Sequence, residues 1–130
     1  MATIVVVEDQ PDNLKLITAL LGLKGHQVIG LAGGSDLLHV LRTYRPPPAL
    51  VLLDIQLPGR DGFQLLEDLE TLEGDHPWKV VALTAHAMPG DREKALAAGF
   101  DGYITKPIDV RTFPAEVARY LSNPAPPSAA

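Results

Sequence analysis

Short apolar runs that each stop on a polar residue constrain this chain more than any other feature. Ile4–Val7 ends on Glu8 and Asp9, Leu50–Leu53 ends on Asp54, Lys79–Leu83 ends on Thr84, and Gly102–Thr105 runs into Lys106. Runs this short, rich in branched side chains and bounded by turn residues, read as strands buried on both faces. His26–Leu31, closing on Gly33 and Gly34, is a further strand. Between the runs the apolar spacing changes to the helical period. Leu14, Ile17, Leu20 and Leu21 follow Pro11, and Leu37, Leu38 and Leu41 follow Ser35, which is well placed as an N-cap. Phe63, Leu65, Leu66, Leu69 and Leu72 follow Asp61, another candidate cap. A helix over Pro89–Ala98 buries only alanines and Leu96, and Gly99 ends it. The last helix carries Phe113, Val117 and Leu121, with a start near Arg111 or Thr112 that keeps Pro114 out of its interior. Strands alternating with helices predict an α/β fold, a single doubly wound parallel sheet of five strands with helices on both faces.

At 130 residues, 46% hydrophobic and 21% charged, the chain is sized for one domain. Residues 1–122 are assigned to that domain, and the Pro/Ala-rich stretch 123–130 to a flexible tail. The net charge is −5, and the basic residues are scattered from Lys15 to Arg119, so there is no footprint for nucleic acid. Absence of cysteine removes thiolate chemistry, and His26, His39, His76 and His86 lack metal-ligand spacing. No apolar run approaches membrane-spanning length, and no basic region precedes the first one, so a cytoplasmic protein without membrane partners is expected. Glu67, Asp68, Glu70 and Glu73 read as the solvated face of a helix.

Parallel strands bring their carboxyl ends to one edge, and that edge collects Glu8, Asp9, Asp54, Thr84 and Lys106. Singly, each has an ordinary explanation as a strand-end charge, a turn cap or a surface lysine. Together, after four separate apolar runs, they exceed what burial or solubility requires. Converging carboxylates repel unless a cation joins them, and oxygen ligands suit a hard ion such as Mg²⁺. A hydroxyl and an ammonium beside them suit an incoming phosphoryl group. The chemistry expected is phosphoryl transfer to an acid.

The motifs IVVVEDQPDN, LVLLDIQLPGRDG, VVALTAHAMPGD and GYITKPI, spread along nearly the whole chain, resemble the receiver domain of two-component response regulators, the CheY-like superfamily. The LTAHAM segment and the single-domain length make the chain most similar to stand-alone regulators of the DivK type. The resemblance implies strand order 2-1-3-4-5 and a phosphoacceptor signalling protein rather than a turnover enzyme. Asp54 would be the phosphoacceptor. Asp9, Asp54 and the backbone carbonyl of Gln56 would hold Mg²⁺ or Mn²⁺, with Glu8 acting through bound water. Thr84 and Lys106 would bind the phosphoryl oxygens, Thr84 and Tyr103 would form the switch, and Lys106–Pro107 would be a cis peptide. The implied partners are a histidine kinase or histidine phosphotransfer protein, and a downstream protein bound on the face of the fourth helix, fifth strand and fifth helix. Arg60 stands where many receivers have Met, while Gln56 and His86 occupy positions that tune the lifetime of the aspartyl phosphate. Three rivals remain: a receiver module from a hybrid kinase or longer regulator, a pseudo-receiver that only binds, and an Asp-nucleophile phosphatase. Gln56, where such a phosphatase carries a second acid, and the lack of a cap domain count against the last.

Overall fold

A computed structural model of the chain describes residues 2–44, 47–55, 62–70, 78–85 and 90–122. Among these residues the strands are β1 (Thr3–Val7), β2 (Gln27–Leu31), β3 (Leu50–Asp54), β4 (Lys79–Thr84) and β5 (Gly102–Thr105). The helices are α1 (Pro11–Leu23), α2 (Leu37–Thr43), α3 (Gly62–Glu70), α4 (Asp91–Ala98) and α5 (Phe113–Ser122). The strands pair in parallel in the order β2-β1-β3-β4-β5.

The apolar runs of β1, β3 and β4 follow from burial on both faces, whereas the outer strands β2 and β5 are only partly buried. Strand side chains alternate, so Val5, Val7, Val51, Leu53, Val80 and Ala82 pack with Leu37 and Leu41 of α2, Leu65, Leu66 and Leu69 of α3, and Ala95 of α4. Their neighbours Ile4, Val6, Leu50, Leu52, Val81, Leu83 and Ile104 pack on the opposite face with Ile17 and Leu21 of α1 and Phe113 and Val117 of α5. Each of the Val, Leu, Ile and Phe side chains among them contributes roughly 1.5–3 kcal/mol on burial. A polar residue inside any of these runs would therefore be expensive, which is why the polar residues stand at their ends.

Several local expectations are corrected. Ser35 does not cap α2: the N-cap is Asp36, in a helical conformation and without a side-chain cap bond, so the packing of Leu37 and Leu41 positions this short helix. Leu96 does not face the core and is 42% exposed; Ala95 and Phe100 anchor the α4 region instead. Phe100 meets Phe63 edge to face at 5.6 Å, and Lys94 lies over the Phe63 ring at 5.4 Å. β2 begins at Gln27 rather than His26, whose Nδ1 accepts a hydrogen bond from the Ala2 amide. α5 begins at Phe113, one residue past the expected start, which puts Pro114 in its first turn, where a missing N–H is harmless. α4 starts at Asp91 behind Gly90, and it ends at Gly99 in the left-handed region, φ 116°. Asp61, Leu72, Glu73, Pro89 and the tail 123–130 lie outside the described residues, as does the side chain of Glu70.

Candidate functional site

β1 is flanked by β2 on one side and β3 on the other, so the chain leaves the carboxyl ends of β1 and β3 in opposite directions. Ligands gather in the crevice such a reversal opens. Among the described residues the buried polar or charged side chains are Glu8, Asp54 and Thr84, and all three stand at this edge. A buried carboxylate is tolerated only when paired and hydrogen-bonded.

The pairing comes from Lys106. Its Nζ donates to Glu8 Oε1 at 2.8 Å, to Glu8 Oε2 at 2.9 Å and to Asp54 Oδ2 at 2.9 Å. Distances this short mark charge-assisted hydrogen bonds. The backbone aims the lysine: the Lys106 amide donates to the Thr84 carbonyl at 2.7 Å, tying the end of β5 to the end of β4. The Lys106–Pro107 peptide is cis. Burial alone would lower the Lys106 ammonium, but the hydrogen bonds and charges of Glu8 and Asp54 outweigh it, and the group is held above its ordinary pKa. Glu8 is pushed from 4.5 up to about 7, first by burial and then by its hydrogen bond with Asp54, while Lys106 and Asn13 pull in the other direction. Above about pH 7, where Glu8 ionises, the two carboxylates of this cluster outnumber its one ammonium.

One carboxylate oxygen from each of Glu8, Asp9 and Asp54 lies within 4.8 Å of the others. Asp9 is only half-buried, leaving that side of the cluster open to solvent. Three convergent oxygen donors with surplus negative charge fit a hard divalent cation. Gly62 sets the position of Asp54 from behind. Its amide donates to the Ile55 carbonyl at 2.7 Å, and a Cβ there would lie 2.8 Å from Ile55 Cα and 2.9 Å from the Asp54 carbonyl oxygen. Only glycine lets α3 start this close to the end of β3.

Of the residues read from sequence, the fold brings Glu8, Asp9, Asp54 and Lys106 together and stations buried Thr84 at the end of β4 beside them. Tyr103 stands apart on β5, half-buried against the cluster that includes Ala95 and Phe100. Gln56, Arg60, His76 and His86 lie outside the described residues. Sequence reasoning missed Asn13, which helps pull the Glu8 carboxyl back toward its ordinary value. Its place in the first turn of α1, just after the acidic pair, was the signal available.

A doubly wound α/β sheet with a buried carboxylate cluster at its carboxyl edge defines a flavodoxin-like protein with an anionic, cation-ready site. The chain belongs to the response regulator receiver domain family, whose profile matches residues 4–118. It is 35% identical over 121 residues to the polar-differentiation response regulator DivK of Brucella anthropi, covering 93% of this chain and 97% of DivK. It is 40% identical over 111 residues to the sensor histidine kinase GacS of Pseudomonas protegens, covering 83% of this chain but 12% of GacS. Among solved structures, a response regulator receiver protein from Burkholderia phymatum superposes with a TM-score of 0.79 at 33% identity, covering 98% of this chain and all of the other, 100%.

Proposed function

We propose that the chain is a phosphorylation-dependent response regulator that takes a phosphoryl group from a phosphohistidine onto Asp54. The observation that carries this reading is the Lys106 ammonium held between the buried carboxylates of Glu8 and Asp54, with the Thr84 residue at the adjacent strand end. An Asp54 carboxylate oxygen attacks phosphorus in line; the new P–O bond forms as the P–N bond breaks, and the electron pair stays with the departing imidazole nitrogen, which takes a proton. Lys106 orients Asp54 beforehand and then meets the phosphoryl oxygens, with the Thr84 hydroxyl as a second donor. Asp9 and Asp54, with the Gln56 carbonyl and with Glu8 through water, would hold Mg²⁺ or Mn²⁺, which supplies neutralisation of the phosphoryl charge. The product is an aspartyl phosphate, so the protein is a phosphoacceptor rather than a turnover enzyme. Closure of Thr84 on the phosphoryl group, with the Tyr103 ring turning inward, then shifts a pre-existing equilibrium at the face of α4, β5 and α5, where a downstream protein binds.

The donor is a histidine kinase or a histidine phosphotransfer protein, in line with the kinase GacS carrying a similar segment. Residues 1–122 form the receiver unit in this reading, and 123–130 a tail. A cytoplasmic setting belongs to it as well; no described helix is long and apolar enough to cross a membrane. The match to 12% of GacS favours one alternative, that the chain works as the receiver module of a hybrid kinase, with the same chemistry at Asp54.

Acetyl phosphate with Mg²⁺ should add one acid-stable, base-labile phosphate to the wild-type chain and none to Asp54→Asn. Labelling that survives in the variant, or none in the wild type, overturns the assignment.

A further inference from the structure

β5 is the outer strand, bonded to β4 alone, so nothing in the sheet braces its other side. Tyr120 of α5 fills that role. The Tyr103 amide donates to the Tyr120 hydroxyl at 3.2 Å, and the Lys79 Nζ donates to the Tyr120 carbonyl at 2.8 Å, fixing the same residue to the start of β4. The ring lies flush on the strand at Gly102: a Cβ there would stand 2.2 Å from Tyr120 Cε1 and 2.5 Å from its hydroxyl oxygen. Gly102 and Tyr120 are therefore a matched pair, since any larger residue at 102 would push the ring off the strand. The two tyrosines also serve opposite faces of the sheet. Tyr120 packs with the α1/α5 cluster and Tyr103 with the α2/α3/α4 cluster.

We propose that Tyr120 is a positioning residue for Tyr103, holding β5 and α5 in the arrangement in which Lys106 spans Glu8 and Asp54, so that release of this tie favours the phosphorylated arrangement. The inference rests on the receiver reading above and adds a residue to its switch. A bond of 3.2 Å between neutral groups is near the long limit for N–H···O, strong enough to bias an equilibrium and weak enough to break within it. Because Tyr103 draws its side-chain direction from its own backbone, a restraint at its amide acts on the ring lying on the other face. A ligand or substitution shifts a two-state equilibrium only by its differential contact with the two states, and in this inference the contact is assigned to the unphosphorylated one.

The test compares the full wild-type chain with Tyr120→Phe, which keeps the ring against Gly102 and removes only the hydroxyl. Beryllofluoride with Mg²⁺ serves as the phosphoryl mimic, and amide exchange of Tyr103 is read by NMR in its absence. The expected result is apparent beryllofluoride affinity about three- to tenfold tighter in Tyr120→Phe, the range of one modest hydrogen bond, with faster Tyr103 amide exchange and a slightly lower Tm. A purely structural role lowers Tm while leaving the affinity unchanged or weaker, and that outcome overturns the proposal; so does an unchanged Tyr103 exchange rate. Failure of the receiver reading shows separately, as a wild-type chain that does not respond to beryllofluoride, while the exchange rate still decides whether the tie exists.

Discussion

Replacing Glu8 with Gln tests the electrostatics of the site more sharply than any other change. Glu8 is 0% exposed, and its carboxyl is pushed from 4.5 up to about 7, chiefly by burial. The unfolded chain releases this proton near the ordinary value, whereas the folded chain keeps it to about 7. Across that window the folded state binds more protons, so Glu8 makes the protein less stable as pH rises. At 1.36 kcal/mol per pH unit the full change is about 3 kcal/mol, and about 2–3 kcal/mol of it falls between pH 5 and pH 8. Gln does not ionise. It also replaces one of the two carboxylate oxygens that Lys106 contacts at 2.8 and 2.9 Å, a loss of roughly 1–2 kcal/mol. Glu8→Gln is thus expected to be less stable than wild type at pH 5, by no more than about 1–2 kcal/mol, and to overtake it by pH 8, where the wild type has lost about 2–3 kcal/mol more. His26, held below 6.5 by burial, contributes with the opposite sign, but it is present in both proteins and cancels in the difference. Urea unfolding in EDTA at intervals from pH 5 to pH 8 reads the effect, with chelator present because a divalent cation at the site would displace the proton. A stability difference that stays constant across this range refutes the reasoning. Adding Mg²⁺ to the wild type should then stabilise it more at pH 8 than at pH 5, because at low pH the ion competes with the Glu8 proton.

Gly62→Ala should destabilise the chain by about 1–3 kcal/mol, because the new methyl meets the backbone of Asp54 and Ile55, which no rotamer change can relieve. The same variant should accept phosphate more slowly, and an unchanged Tm together with an unchanged labelling rate would count against the close approach. Phe63→Leu removes the edge contact with Phe100 and the ring beneath Lys94, together worth about 1–2 kcal/mol. With Leu96 turned outward and Ala95 the buried residue among the described side chains of α4, that loss should appear as exchange of the α4 amides about five- to thirtyfold faster, roughly 1–2 kcal/mol read as a ratio. Equal acceleration of β1 and β3 amides would instead indicate global destabilisation.

The alternation of buried strands and amphipathic helices was legible in the chain because strand and helix periods are local properties of a few neighbouring residues. Partition of Val5 and Val7 to one layer and Ile4 and Val6 to the other follows from the same period, as does the gathering of Glu8, Asp9, Asp54, Thr84 and Lys106 at one edge once the strands are parallel. Ends were less legible. Ser35 had the chemistry of a cap and does not cap, and Leu96 had the hydropathy of a core residue and faces outward, because packing of a neighbouring element overrides a local preference. What only the tertiary structure decided is how distant residues meet. Lys106 lies 98 residues from Glu8 and 52 from Asp54 in sequence yet bonds both, and the proton affinity of Glu8 depends on that contact and on complete burial. Tyr120 rests on Gly102 and the Tyr103 amide for the same reason. Residue types and their period follow from the chain alone, whereas a charge, a hydrogen bond or a close ring contact depends on distance and on excluded water, and those exist only after the layers have closed.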